Sequence, residues 1–317
     1  MTPLEEKIVD MAAQNGSVLT WADFIGAALY DSQWGYYVRE RERVGPGGDF
    51  FTSASMKCGV FGLAVAEAVG RLLEGEGEDP DEFEIVEIGA EPGYQMVRGA
   101  RTIRLGQEIN LSGNVSVVSN ELLDARPFER FKYENRRWAK RAIEFGNSYE
   151  DRREILLDVS EAEREIIDCY FSRAQVEGFC LDISFDAIRL FEKICLQNWR
   201  GALVFADYFR TADELSVLPN GTARTYSRHR DGFDLFANVG DADITYSPCS
   251  DIFEDVARRC GRNPRTYTQE SFFVHLAPRL LESLISSPSD GDIRKRELCQ
   301  LISPAHMGAC FRVLTLL

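Results

Sequence analysis

The stretch that decides the fold is FEIVEIGAEPGYQ, residues 83–95. Its first half is a short apolar run, which is typical of a buried strand in a parallel sheet. Its second half contains Gly89 and Gly93, and we predict that it forms a glycine turn that opens into a helix, with Pro92 in the first helical turn. Ligands of open parallel sheets bind at the carboxyl ends of the strands. The sequence therefore predicts a binding site at this turn.

The chemistry of the turn indicates which ligand it could hold. Glu91 and Pro92 stand between the two glycines, where a phosphate-binding loop would offer small residues and free N–H groups. A carboxylate repels phosphate, and proline has no N–H to donate. If the turn binds a nucleoside, we expect one without phosphates, and S-adenosylmethionine (SAM) is the commonest cofactor of that kind.

The rest of the chain alternates between predicted strands and helices, which indicates a parallel sheet. Besides 84–88, strands are expected at 102–105, 115–119, 202–207 and 311–316. The segment 126–200 is far longer than a crossover of about 12 residues, so it must carry additional structure. We expect helical structure in its charged middle, 150–175, and an amphipathic helix at 184–199.

Helices are also predicted at both ends of the chain. Thr2 and Glu5 form a capping box for a helix to about Asn15, and Thr20 caps a second helix. This second helix spans 21–30, and the remaining predicted helices lie at 56–73, 251–260 and 269–286. The acidic, glycine-rich run GEGEDPDE marks the best domain boundary. We therefore expect an N-terminal extension over 1–78 and a main domain over 79–317 with insertions at about 126–200 and 208–250.

Composition narrows the class of partner. The net charge of −15 argues against nucleic acid and anionic membranes, which need a basic surface, and favours a basic protein partner. The eight cysteines are scattered, as in a reduced cytosolic protein, and the three histidines are too far apart to suggest a zinc site. The N-terminus lacks a signal pattern, and no run approaches the ~18 apolar residues of a membrane span.

Polar residues follow the strand at 115–119 and should lie at the same sheet edge as the glycine turn. If a helix starts near Asn120, Glu121 and Asp124 share one face, where two carboxylates could hold a guanidinium or an amine. The alternative is a capped helix whose first-turn acids are stabilised by the helix dipole.

Two other groups could contribute to a site. Arg224, Arg228, His229 and Arg230 form a basic cluster, whose alternative interpretation is a solvated loop on an acidic surface. Glu108 lies 19 residues after Gly89, near the spacing of about 20 at which an acid holds the hydroxyls of a ribose.

Eight segments taken in order resemble the MidA-like methyltransferase family, whose mitochondrial members methylate an arginine of a respiratory complex I subunit. The segments are ALYDSQWGYY, GGDFFTSAS, EIVEIGAEPG, VSNELLDARP, ADYF, GTARTYSRHRDGFD, GDADIT and PAHMGACFRVL. The resemblance implies an α/β class I SAM-dependent methyltransferase (Rossmann-like) fold, with a seven-stranded sheet and helical insertions. It also implies an N-terminal helical extension, over 1–78, that closes over the cofactor site. The closing strand is then antiparallel.

The resemblance also implies roles for individual residues. The catalytic residues would be Glu121, Asp124 and His229, with Arg224 and Arg228 on the acceptor side. The cofactor-binding residues would be Asp49, Phe50, Thr52, Ser53, Glu87, Gly89, Gly93, Glu108 and Asn120. The chain departs from the family pattern at Glu91, Pro92, Tyr94 and Phe209, and in a shortened stretch between Gly93 and Asn120.

These inferences lead to an expected function and two alternatives. We expect a cytosolic enzyme that uses SAM to methylate a protein side chain, with arginine as the acceptor implied by the family. An inactive methyltransferase fold that acts as a binding or assembly factor is the main alternative, because the glycine turn is altered. Methylation of a small molecule is the third possibility.

Overall fold

The fold is described by a computed structural model, which covers residues 1–39, 58–227, 230–287 and 292–317. Several residues predicted to belong to the site lie outside these ranges. They are Asp49, Phe50, Thr52, Ser53, Arg228 and His229.

The secondary structure of the described residues alternates between strands and helices. The helices are α1 (Pro3–Gln14), α2 (Trp21–Tyr30), α3 (Val60–Gly75), α4 (Glu161–Tyr170), α5 (Phe185–Cys195), α6 (Ala212–Leu215), α7 (Ser250–Arg259), α8 (Gln269–Leu276), α9 (Pro278–Ile285) and α10 (Ile293–Ile302). The strands are β1 (Val18–Thr20), β2 (Glu84–Ile88), β3 (Arg101–Ile103), β4 (Gly113–Asn120), β5 (Glu129–Glu134), β6 (Arg137–Phe145), β7 (Arg152–Leu157), β8 (Cys180–Ile183), β9 (Trp199–Arg200), β10 (Leu203–Asp207), β11 (Arg224–Ser227), β12 (Arg230–Gly232), β13 (Asp243–Thr245), β14 (Pro264–Thr268) and β15 (Arg312–Leu316).

The chain forms two compact units, and each is assembled from three separate segments. The first unit contains Met1–Arg41, Leu123–Arg189 and Arg210–Ile252. The second contains Glu42–Leu122, Leu190–Phe209 and Phe253–Leu317. These two units differ from the two domains, 1–78 and 79–317, that composition suggested.

The second unit contains a mixed sheet in the order β14-β15-β10-β4-β2-β3, with the two-residue strand β9 beside β4. Strands β10, β4, β2 and β3 are parallel, whereas β15 is antiparallel to both of its neighbours. All five residues of β10 are buried, as expected for a strand covered on both faces. The predicted α/β sheet with an antiparallel closing strand is thus confirmed.

Helices pack against this sheet through small and apolar residues. In α3, Ala64, Val65 and Ala68 are fully buried in a core that includes Val118 of β4 and Val204 of β10. The helix predicted over 269–286 is divided into α8 and α9, because Pro278 begins a new helix and has no N–H to continue the first one.

The first unit contains antiparallel strands where the sequence suggested helices. Strands β1, β6, β5 and β8 form one sheet with β7 paired to β6, and β12, β11 and β13 form another. The predicted helical run at 150–175 is therefore wrong in its first part, which forms β7. Its second part forms α4, which Ser160 and Glu163 cap reciprocally. Pairing of all six β7 residues with β6 overrides the local helical spacing.

Two further helix predictions are wrong. Residues 89–100, all of which the structure describes, contain turns instead of the helix predicted to follow β2. No helix begins at Asn120 either, since β4 runs to that residue and turns follow it. Within the described part of the chain, no helix is both long and apolar enough to cross a lipid bilayer.

Candidate functional site

Four parallel strands of the second unit end at one edge of the sheet. Ile88 of β2 is paired with Ile103 of β3, and Glu87 is paired with Val118 of β4. The residues that follow, Arg104, Gly89 and Asn120, are therefore neighbours at this edge. Ala206 of β10 is paired with Asn120 and completes the set. We call these four residues the strand-end row. It occupies the position at which open parallel sheets bind ligands.

Gly89 gives this row an exposed stretch of backbone. Its φ is +82°, in the left-handed region that favours glycine. Its N–H donates to the carbonyl oxygen of Ile103 at 2.9 Å. A Cβ atom at this position would lie 3.0 Å from Cδ1 of Leu122. A side chain here would be strained and crowded, so the backbone can be approached closely only because the residue is glycine.

Residues 89–100, which we call the glycine loop, replace the predicted helix. The N–H of Tyr94 donates to the carbonyl of Glu91 at 3.1 Å. Gly93 has φ +82°, and no atom of the described residues lies within 4 Å of the position of a Cβ there. Side-chain Nε2 of Gln95 donates to the carbonyl of Ala100 at 2.5 Å. The two strands that this loop joins are adjacent, and its length is at the lower limit of about a dozen residues for a helical crossover. Turns therefore replace the helix.

Glu87 lies beneath the glycine loop. Its side chain is buried, and its two carboxylate oxygens accept the N–H of Met96 at 3.0 and 2.9 Å. The N–H of Val97 donates to the same carboxylate at 3.3 Å. Burial raises the pKa of Glu87, although these two N–H groups oppose the rise. The carboxylate of Glu87 is thus engaged by the loop backbone.

Asn120 and Glu121 form a polar pair at the end of β4. Nδ2 of Asn120 donates to Oε1 of Glu121 at 2.8 Å. Oδ1 of Asn120 is buried and has no hydrogen-bond partner among the described residues. Glu121 has φ +52°, which is unusual for a residue with a side chain, and its N–H donates to Ala206 at 2.9 Å. Strain of this kind is concentrated at functional sites.

The strand-end row fits a ligand that has a hydrogen-bond donor near Asn120 and a part without bulky groups near Gly89. The buried Oδ1 of Asn120 needs a donor, and an amino or hydroxyl group would supply one. SAM carries both kinds of group, so the residues at β2 and β4 fit it. At β3 the first residue after the strand is Arg104, and Glu108 lies farther along the following loop with its side chain exposed.

Comparison with known proteins supports SAM as the cofactor. A family model named Methyltransf_28, with the description "Putative S-adenosyl-L-methionine-dependent methyltransferase", matches residues 103–268, just over half of the chain. The chain belongs to this methyltransferase family. The family resemblance inferred from the sequence is confirmed, and SAM is the cofactor of the family. No curated protein matches the sequence significantly.

Two solved structures share the fold. One is a protein from Burkholderia thailandensis bound to S-adenosyl-homocysteine, with a TM-score of 0.83, 20% identity, and coverage of 99% of this chain and 91% of that chain. The other is the native structure of an uncharacterized protein from B. thailandensis that belongs to the same superfamily as the first. It has a TM-score of 0.80, 20% identity and the same coverage. At this identity the likeness establishes the fold.

Asp124 has a different environment from Glu121. It belongs to the first unit, is 2% exposed, and its carbonyl oxygen accepts the N–H of Tyr246 at 3.2 Å. The expectation that Glu121 and Asp124 share a helix face is wrong because β4 is followed by turns. Arg224 lies at the start of β11 in the first unit, where Thr245 of β13 is its partner. The catalytic roles of Asp124 and His229 stay predictions.

Asp182 is a buried acid whose importance was not predicted. Its carboxylate accepts Nε of Arg130 at 2.9 Å and the N–H groups of Thr222 and Ala223 at 2.6 and 2.8 Å. These two residues precede β11, so Asp182 holds in place the segment that leads into the strand carrying Arg224. The only signal in the sequence is an acid within the apolar run of β8, CLDI.

We predict that Asp182→Asn destabilises the protein by about 3 kcal/mol, because removing one charge of a buried ion pair leaves the other uncompensated. Urea unfolding would measure this. Asp186→Asn is the matched control, since Asp186 also bonds an arginine, Arg126, at 2.6 Å, but its side chain is 33% exposed. That pair should contribute less than about 1 kcal/mol. Equal losses in the two variants would contradict the role of burial.

Proposed function

We propose that this family member transfers the methyl group of SAM to a side chain of another protein, with arginine as the acceptor. The observation that carries the proposal is the strand-end row, in which the bare backbone of Gly89 lies beside the buried acceptor of Asn120. Membership of the family supports the cofactor, and the position of Glu121 directly after the row supports the acceptor.

The residues at the ends of β2 and β4 would hold the cofactor. Gly89 permits close approach of the backbone, and Oδ1 of Asn120 accepts a hydrogen bond from an amino or hydroxyl group. When bound, SAM supplies a methyl group on a positively charged sulfur. The sequence adds Gly93, Glu108 and the residues 49–53 to this set as predictions.

Glu121 would orient the acceptor. A guanidinium is permanently charged, with a pKa above about 12, so recognition by a carboxylate is electrostatic and bidentate. The hydrogen bond from Asn120 and the backbone bond to Ala206 fix the position of Glu121 in advance. A carboxylate held in this way keeps one guanidinium nitrogen aimed at the methyl group and stabilises the charge that is redistributed during transfer. The new N–C bond would form as the S–C bond breaks, with S-adenosylhomocysteine as the leaving group, and the methylated nitrogen would release one proton to solvent.

Charge and thiol content favour a basic protein partner in the cytosol. The net charge of −15 would attract a basic or arginine-presenting segment and repel nucleic acid. All eight cysteines are free thiols, as is common in reducing compartments.

A second candidate function is a binding or assembly factor without catalysis. Two observations favour it. The glycine loop lacks the helix whose N-terminus would contribute free N–H groups, and Arg104 follows β3 where an acid would hold a ribose.

Calorimetry with SAM and with S-adenosylhomocysteine (SAH) separates the two functions. We expect micromolar binding of both ligands. No heat and no thermal shift at millimolar ligand would eliminate the methyltransferase and leave the binding factor. If both ligands bind, the purified protein and methyl-labelled SAM added to a lysate prepared without the protein should label a discrete protein band, and acid hydrolysis of that band should release methylarginine. Label found only in small molecules would refute a protein acceptor.

A further inference from the structure

The glycine loop is attached to the rest of the second unit at Met96. On one side, Glu87 accepts the N–H groups of Met96 and Val97 with its buried carboxylate. Both side chains of these loop residues are also buried, at 5% and 4% exposure. The charged acceptor makes these hydrogen bonds stronger than neutral ones.

On the other side, helix α3 contacts the same residue. A Cβ atom on Gly62 would lie 1.8 Å from the carbonyl oxygen of Met96 and 2.8 Å from its carbonyl carbon. These are backbone atoms, which cannot move aside as a flexible side chain could. Any residue larger than glycine at position 62 would therefore displace the loop or the helix.

Between Gly89 and Met96 the loop consists of turns. A helix at this place would hold its residues by a ladder of backbone bonds, but here turns span the distance. Pro92 is exposed and has no N–H to donate. The attachment at Met96 therefore contributes directly to the geometry of the loop over the end of β2.

We propose that Glu87 and Gly62 are positioning residues, which together hold the glycine loop in the conformation that accepts the cofactor. The inference rests on the proposed function, because it assumes that SAM binds beside Gly89. It assigns to Glu87 an indirect role in cofactor binding, through Met96 and Val97, and it adds a residue of α3 that does not belong to the strand-end row.

The chain offers a matched control for each residue. Glu67 also accepts two successive N–H groups, those of Arg279 and Leu280, both at 2.8 Å, but it does so at the start of α9. Gly70 lies on the same helix as Gly62, and a Cβ there would be 3.9 Å from Cγ of Pro80, an ordinary contact. Both controls test stability in the second unit without touching the glycine loop.

The experiment measures SAH affinity, thermal stability and amide hydrogen exchange in Glu87→Gln, Gly62→Ala, Glu67→Gln and Gly70→Ala. Glu87→Gln and Gly62→Ala should each weaken SAH binding about tenfold. Glu87→Gln weakens the hydrogen bonds from Met96 and Val97 by removing the charge of their acceptor, and Gly62→Ala displaces the loop at Met96. Amides of residues 96 and 97 should exchange about tenfold faster in Glu87→Gln because local opening is easier. The two controls should keep wild-type SAH affinity, whatever their thermal stability.

Specific outcomes would overturn the inference. Wild-type affinity in both Glu87→Gln and Gly62→Ala would show that the loop needs neither residue, and equal losses in Glu67→Gln would show a general effect of stability. If the wild-type protein itself binds no SAH, the proposed function fails and the role in cofactor binding fails with it. Exchange at residues 96 and 97 then still decides whether Glu87 holds the loop, and unchanged exchange would overturn that part as well.

Discussion

Replacement of Gly89 by alanine is expected to weaken SAH binding at least about a hundredfold, which corresponds to about 2.7 kcal/mol. Two effects add. The residue has φ +82°, where a Cβ costs about 1 to 2 kcal/mol, and the new atom would lie 3.0 Å from Cδ1 of Leu122. The surrounding backbone must shift to relieve both, and in the proposed site this backbone is the surface that the cofactor approaches.

Gly178→Ala is the matched control for Gly89→Ala. Gly178 has φ +84° and no atom within 4 Å of its missing Cβ, and it lies in the first unit. Its substitution carries the same backbone strain without the crowding. Thermal unfolding should therefore show a stability loss in both variants, smaller in Gly178→Ala, and calorimetry with SAH should show loss of binding only in Gly89→Ala. Retained affinity in Gly89→Ala would place the cofactor elsewhere and contradict the proposed site.

The strands that carry the site could be predicted from the sequence because their signal is local. Buried parallel strands are continuous apolar runs, and those of β2, β4 and β10 stand out between polar segments. Gly89 was predictable for the same reason, since a glycine directly after such a run indicates a turn. The antiparallel direction of β15 followed from the family resemblance.

The glycine loop could not be predicted because local and global demands conflict there. Glu91 and Pro92 are favourable in a first helical turn, so the sequence indicates a helix. The loop, however, must connect adjacent parallel strands, and its length and the attachment at Met96 decide the conformation. Local helix preference is weak compared with such tertiary constraints.

The hydrogen-bond partners of Glu87 and Asp182 could not be predicted for another reason. Glu87, and Asp182 in addition to its bond with Arg130, accept backbone N–H groups. Every residue except proline carries such a group, so these partners leave no mark in the sequence. Similarly, the left-handed conformation of Glu121 is invisible in a sequence, because glutamate is not a residue that favours it.

Replacement of Glu121 by glutamine is expected to lower the rate of methyl transfer about a hundredfold while SAH affinity changes less than about threefold. Glutamine keeps the size of the side chain and can still accept the hydrogen bond from Nδ2 of Asn120, which is 2.8 Å long. Only the negative charge aimed at the acceptor is lost. Single-turnover transfer to the labelled protein acceptor would measure the rate, and calorimetry would measure the affinity.

A second variant at the same position tests whether the backbone strain belongs to function. Glu121→Gly removes the unfavourable φ of +52° and should stabilise the protein by about 1 kcal/mol, yet it should abolish transfer. Arg136→Gly is the control, because Arg136 also has a positive φ, +62°, in the turn between β5 and β6. The Arg136→Gly protein should be stabilised by a similar amount and keep full activity. If Glu121→Gln loses SAH affinity as much as transfer, Glu121 contacts the cofactor and another residue must orient the acceptor.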